Sequence, residues 1–264
     1  MTKIEKSFVN ILGIKTAYFK REGGEKIAVI LHGWGANIES IIPILNAVPS
    51  FYTVYAYDAP GFGDTNEPKE VYGTYDYYKF LRGFLKTFNI EKAVFLGHSF
   101  GGKTLTILGD EAENLAEKLV FIDASGIIPK RKLSYYLKVY AFKFSKKIYL
   151  FFYGNNEGAL EKFYKRHGSD DYQNAQGLMR KIFVKVVNES TEDRLCKIKS
   201  ESLLIWGDKD DATPLYMGGI FNKKIKNSGL VVLKGGHFSY IDDYGTFCAV
   251  INSFLGDKSW LFYI

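Results

Sequence analysis

The sequence predicts an α/β protein: a mostly parallel sheet of eight strands with helices on both faces and one helical insertion. Three observations predict it. Short apolar runs without alternation recur along the chain, which is how strands covered on both faces read. Helical spacing lies between several of these runs, and alternating strands and helices imply a largely parallel sheet. Between about residues 128 and 192 the alternation stops and only helical spacing remains.

In chain order, Phe8–Leu12 and Thr16–Phe19 flank Gly13 and read as an antiparallel hairpin. Ile27–Leu31, Thr53–Tyr57, Ala93–Leu96, Leu119–Ile122, Ser202–Trp206 and Leu230–Leu233 supply six further strands. Tyr75–Phe88 carries Tyr78, Leu81, Leu85 and Phe88 at helical spacing; Phe100–Leu108 and Phe247–Leu255 are two more helices. The expected organisation is a core over 1–127, a helical cap insertion over 128–191 and the rest of the core over 192–264. In the insertion, Leu133, Tyr136, Leu137, Tyr140, Phe144 and Phe151 share a helical face roughly opposite Lys138 and Lys146. No internal repeat and no low-complexity segment is visible.

The 264 residues, 47% hydrophobic and 24% charged, suit an ordinary globular core that needs no metal or disulfide to fold. Cys196 and Cys248 have no metal-like spacing and read as buried thiols in a reducing compartment. Met1 to Asn10 lack the apolar stretch of a signal peptide, and no run of about 18 apolar residues follows, so the cytoplasm is the expected location. The net charge of +6 accompanies no nucleic-acid motif, which argues against a nucleic-acid partner.

The strongest chemical signal is Gly97-His98-Ser99-Phe100-Gly101, a G-x-S-x-G segment placed directly after a strand and directly before a helix. Chemistry there needs Ser99 in a strained turn above the sheet, and small residues where strand and helix backbones approach. The helix starting near Phe100 would aim its N-terminal dipole at charge developing on a substrate oxygen. His32-Gly33-Trp34-Gly35 follows a strand, and a turn there can aim a second backbone N–H at the same oxygen.

With Asp58-Ala-Pro60-Gly61-Phe62-Gly63-Asp64-Thr65, Trp206-Gly207-Asp208-Lys209-Asp210 before Pro214, and Gly235-Gly236-His237-Phe238, these segments resemble the α/β-hydrolase family almost from end to end. The resemblance is to its serine-nucleophile branch with a helical cap, which includes esterase, haloperoxidase-like and carbon–carbon hydrolase-like relatives. Thr65 stands where that family usually has serine. Five motifs in the family's order are far more specific than any one alone.

The resemblance implies a Ser-His-Asp triad, with the N–H groups of Trp34 and Phe100 as oxyanion donors and no metal or organic cofactor. His237 is the expected base, since it follows the last strand and reaches the same sheet edge as Ser99. His32 is expected to brace its own turn, His98 to point elsewhere, and His167 falls in the insertion. The third position after Gly207 makes Asp210 the acid, with Asp123 in reserve, Asp208 as a loop stabiliser and Asp211 as a cap or a solvated group.

The implied activity is hydrolysis of small to medium apolar acyl esters through an acyl-enzyme. Carbon–carbon, lactone or amide hydrolysis and acyl transfer are alternatives on the same triad, and a hydrolase-like ligand receptor or an inactive scaffold are alternatives of another class. From Ile127 to Asn156 the chain has seven Lys or Arg, nine Tyr or Phe and no Asp or Glu. The favoured expectation is an amphipathic cap helix whose aromatics pack inward and whose lysines are solvated; contact with a lipid surface is the less favoured one. The final Trp260–Ile264 is expected to dock on the domain or a partner.

Overall fold

A computed structural model describes residues 5–130, 133–153, 158, 163 and 170–256. Eight strands form one sheet: β1 (Ser7–Ile11), β2 (Ile14–Arg21), β3 (Lys26–Leu31), β4 (Tyr52–Tyr57), β5 (Ala93–His98), β6 (Ala116–Ile122), β7 (Glu201–Gly207) and β8 (Ser228–Leu233). Their order is β1-β2-β4-β3-β5-β6-β7-β8. The β1–β2 and β2–β4 pairs are antiparallel and all others parallel. Every residue of β4 and β5 is buried, as expected of strands with helices on both sides.

The described helices are α1 (Ile42–Ala47), α2 (Thr74–Thr87), α3 (Phe100–Glu111), α4 (Leu133–Tyr153), α5 (Asp170–Asn174), α6 (Gly177–Asn188), α7 (Leu215–Lys224), α8 (Ser239–Asp242) and α9 (Tyr244–Leu255). Leu45, Val54, Leu96, Val120, Ile205, Tyr240, Phe247 and Ile251 belong to one core cluster, which joins the central strands to α1, α8 and α9.

The chain divides into two compact units. The first comprises 1–68, 74–127 and 190–264; the second comprises 69–73 and 128–189. Within the second, the rings of Phe142 and Tyr149 on α4 each lie 5.3 Å from that of Phe163. Tyr172 contacts Phe142 and Phe183, and its carbonyl accepts from Arg180 Nε at 3.1 Å.

Three expectations are corrected. Leu230–Leu233 is not covered on both faces: β8 pairs only with β7, and as an edge strand it leaves Val232 exposed. The cysteines are not both buried, because Cys196 sits exposed in a surface 3₁₀ turn and Cys248 is half-buried. On α4, Leu137, Tyr140, Phe144 and Phe151 are exposed instead of packed inward, since helical geometry puts them nearly opposite Phe142 and Tyr149. Trp260–Ile264 and His167 lie outside the described residues, as does part of the basic stretch.

Candidate active site

The sheet order reverses between β3 and β5, and a crevice at the carboxyl ends of strands is expected at such a switch point. Leu31 and Gly97 are register partners there, which sets the turns after β3 and β5 side by side. Ser99 has φ +49° and ψ −112°, a conformation that costs a non-glycine residue roughly 1–3 kcal/mol. Its N–H donates to Ile122 O at 2.9 Å, and its carbonyl accepts from Ser125 N and Lys103 N. These bonds hold the strained turn rigid between β6 and α3. Gly97 is required because a Cβ would press on the backbone of Gly101 and Gly102 at 2.6 Å.

From this turn Ser99 Oγ reaches His237 Nε2 at 2.9 Å, and His237 Nδ1 lies 2.9 Å from Asp210 Oδ2. Since a carboxylate only accepts, Nδ1 carries the proton and Nε2 offers its lone pair to the serine hydroxyl. Asp210 Oδ1 accepts from the N–H groups of Ala212 and Thr213, both at 2.9 Å. Burial alone would raise the Asp210 carboxyl, but bonds from His237 and Thr213 outweigh it and hold it below the usual range. Asp210 therefore stays ionised beside the imidazole. Asp123, the reserve acid, instead accepts from Gly207 N at 2.8 Å and from Ser239 N and Oγ at 3.2 and 2.7 Å.

The turns after β7 and β8 are laced together beyond the strands. Asp208 N donates to Leu233 O at 2.9 Å and Lys209 N to Gly235 O at 2.8 Å, while Asp208 Oδ1 accepts from Gly235 N at 2.9 Å. Asp208 thus braces the loop, and Asp211 is exposed. Trp206, fully buried, donates from Nε1 to Thr213 O at 2.7 Å and so anchors the segment that carries Asp210.

The turn after β3 is equally fixed. His32 donates from Nδ1 to Gly33 O at 2.7 Å and accepts at Nε2 from Ala59 N at 2.9 Å, which braces the turn with a neutral ring. Burial lowers its pKa, in keeping with that role. A Cβ on Gly33 would meet Ser99 Cβ at 3.3 Å, so the turn runs directly beside the serine. The Trp34 ring packs edge-on against Phe62 and Phe100, with centroids 4.8 and 5.6 Å away. Phe100 opens α3, whose first N–H groups have no partner four residues back. Nearby, Asp58 accepts from Ile38 N at 2.7 Å, Asp64 N at 3.0 Å and Lys6 Nζ at 2.9 Å, and Thr65 Oγ1 accepts from Ala17 N. That motif is architectural.

Sequence reasoning missed two residues. Thr213 Oγ1 lies 2.7 Å from Asp210 Oδ2, 2.9 Å from Asp123 O and 3.3 Å from His237 Nδ1. His98 does not merely point elsewhere: its Nε2 donates to the carbonyl of His237 at 2.8 Å, while Nδ1 is buried without a hydrogen-bond partner. Burial, aided by the nearby His237, pushes its imidazole down to about 3, so it stays neutral. Adjacency to Ser99 was the only signal for His98. Among the described residues no group of three or more His, Cys, Asp or Glu side chains could hold a metal ion.

Fold and site together define a hydrolase of the α/β class. The chain belongs to the alpha/beta hydrolase fold family, whose sequence profile matches residues 28–244. It is 24% identical over 233 residues to the uncharacterised hydrolase YugF of Bacillus subtilis, covering 81% of this chain and 84% of that one. It is 26% identical over 273 residues to 2-hydroxy-6-oxo-2,4-heptadienoate hydrolase of Pseudomonas putida, covering 92% and 93%. Among solved structures it is similar to an esterase from Exiguobacterium antarcticum, with a TM-score of 0.74, 19% identity and coverage of 96% and 100%.

Proposed function

We propose that this hydrolase cleaves carboxylic esters of small to medium apolar acyl groups, with Ser99 as nucleophile, His237 as base and Asp210 as acid. The observation that carries the reading is the unbroken series Ser99 Oγ, His237 Nε2, His237 Nδ1, Asp210 Oδ2, with 2.9 Å at each contact between residues. His237 takes the Ser99 proton as Oγ attacks the acyl carbonyl. The N–H groups of Trp34 and Phe100 stabilise the oxyanion, a contribution of roughly 10²–10³ in rate per donor. The imidazolium then protonates the leaving alcohol, and water repeats the cycle to release the acid.

The Pseudomonas putida relative, matched along nearly the whole chain, favours a second reading in which the same residues hydrolyse a carbon–carbon bond. Steady-state turnover of p-nitrophenyl esters of increasing acyl length and of a 2-hydroxy-6-oxo-dienoate separates the two. Sustained ester turnover that is lost in Ser99→Ala supports the ester reading. Efficient cleavage of the dienoate with negligible ester turnover replaces it, and a single covalent event without recycling replaces both with a ligand receptor.

A further inference from the structure

α4 carries two apolar faces. One holds Phe142 and Tyr149, which meet Phe163. Nearly opposite, Leu137, Tyr140, Phe144, Ile148 and Phe151 form a second stripe, about 80° wide at the helical 100° per residue. These side chains are 62%, 68%, 67%, 43% and 84% exposed. Isolated apolar side chains are common on surfaces, but a continuous stripe of this kind marks an interaction surface. Lys143 and Lys147 are exposed along one margin of the stripe. Residues 127–156 contain seven Lys or Arg and no acidic side chain, in a chain of net charge +6.

We propose that this outer face of α4 docks on the surface of an anionic lipid bilayer. A helix lying in the interface plane buries aromatic and aliphatic side chains at headgroup depth and keeps its lysines near lipid phosphates. Among the described residues no helix is long and apolar enough to cross a membrane, so the contact lies along the surface. Phe152, exposed and edge-on to Phe151 at the end of α4, adds aromatic area of the kind that interfacial helices bury. Charge separates this occupant from a second copy of the chain. A two-fold contact through α4 would bring Lys143 and Lys147 toward their counterparts with no carboxylate in 127–156 to pair them, whereas anionic headgroups supply the opposite charge.

The test is co-sedimentation of the full chain with vesicles of phosphatidylcholine alone or mixed with phosphatidylglycerol. Binding is expected to be about tenfold or more tighter to the anionic vesicles and to weaken as salt is raised. Phe144→Asp with Phe151→Asp should abolish binding, and Lys143→Ala or Lys147→Ala should each weaken it about fivefold. Circular dichroism checks the fold of each variant, and the lysine substitutions at solvated positions carry the test if the aspartates disturb α4. Equal binding to both vesicles, no binding, or binding unaffected by either set of substitutions overturns the proposal. So does a dimer in sedimentation velocity that the aspartate pair converts to monomer, which would assign the face to a second copy.

Discussion

His98 lies beside Ser99 and, on the proposed triad, acts through His237 as a positioning residue. Its Nε2–H holds the His237 carbonyl at 2.8 Å, which fixes the main chain from which the His237 imidazole projects. His98→Ala is expected to lower kcat about tenfold with little change in KM, the effect of losing one net hydrogen bond. His98→Gln, whose amide can place a donor near the same point, should restore most of it. Equal losses in both variants would mean that ring packing alone matters. If His237 is the base, as proposed, its protonation gives the pH–rate profile an acid limb, since the Asp210 carboxyl beside it is held below the usual range. Activity should fall as the pH drops from about 8 to about 5, and a flat rate across that window would count against His237 as base. That the Ser99 and His237 side chains meet was legible from motif and position. The contacts of Thr213 with Asp123 and His237 and the His98 bond were not, since these arise only when segments far apart in sequence meet; the Thr213–Asp210 bond is local and carried no motif signal.

At the scale of elements, the turn after β7 depends on Trp206. Its indole N–H pairs with the Thr213 carbonyl, so Trp206→Phe leaves a buried acceptor unpaired at about 1–3 kcal/mol. Chemical denaturation should register that loss, and kcat should drop as Asp210 and Thr213 shift; unchanged stability and kcat would show the anchor to be dispensable. All eight strands were legible because continuous apolar runs survive even where ends extend by one to three residues. α7 was not, because Gly218 and Gly219 dilute its helical signal. Gly218 has a packing reason: a Cβ there would meet the Trp206 ring at 2.8 Å. α1 spans six residues and includes Pro43, too short for periodicity to register. The exposure of β8 and of the outer face of α4 was illegible for a related reason, since apolar spacing reports a face and not what covers it.

For the whole molecule, strand order is the feature the sequence cannot state by itself, and it is what gathers the turns after β3, β5, β6, β7 and β8 at one edge. Asp123 ties three of those turns together, and burial raises its carboxyl from the ordinary 3.8 to about 7 despite bonds from Ser239 and Gly207. The neutral form is thus favoured on folding: its stabilising contribution is complete below about pH 4 and is lost as the pH rises through about 7. Between pH 5 and pH 8 the wild type should therefore lose more stability in denaturant melts than Asp123→Asn does, by at most a few kcal/mol. Identical pH dependence of the two would remove Asp123 as the source. The central claim is that the folded chain turns one hydroxyl into a nucleophile. Treatment with a fluorophosphonate followed by peptide mapping tests it most directly. The account predicts a covalent adduct on Ser99, absent in Ser99→Ala and formed about 10³-fold or more slowly in His237→Ala. An unlabelled wild type, or a label carried by another residue, would contradict it.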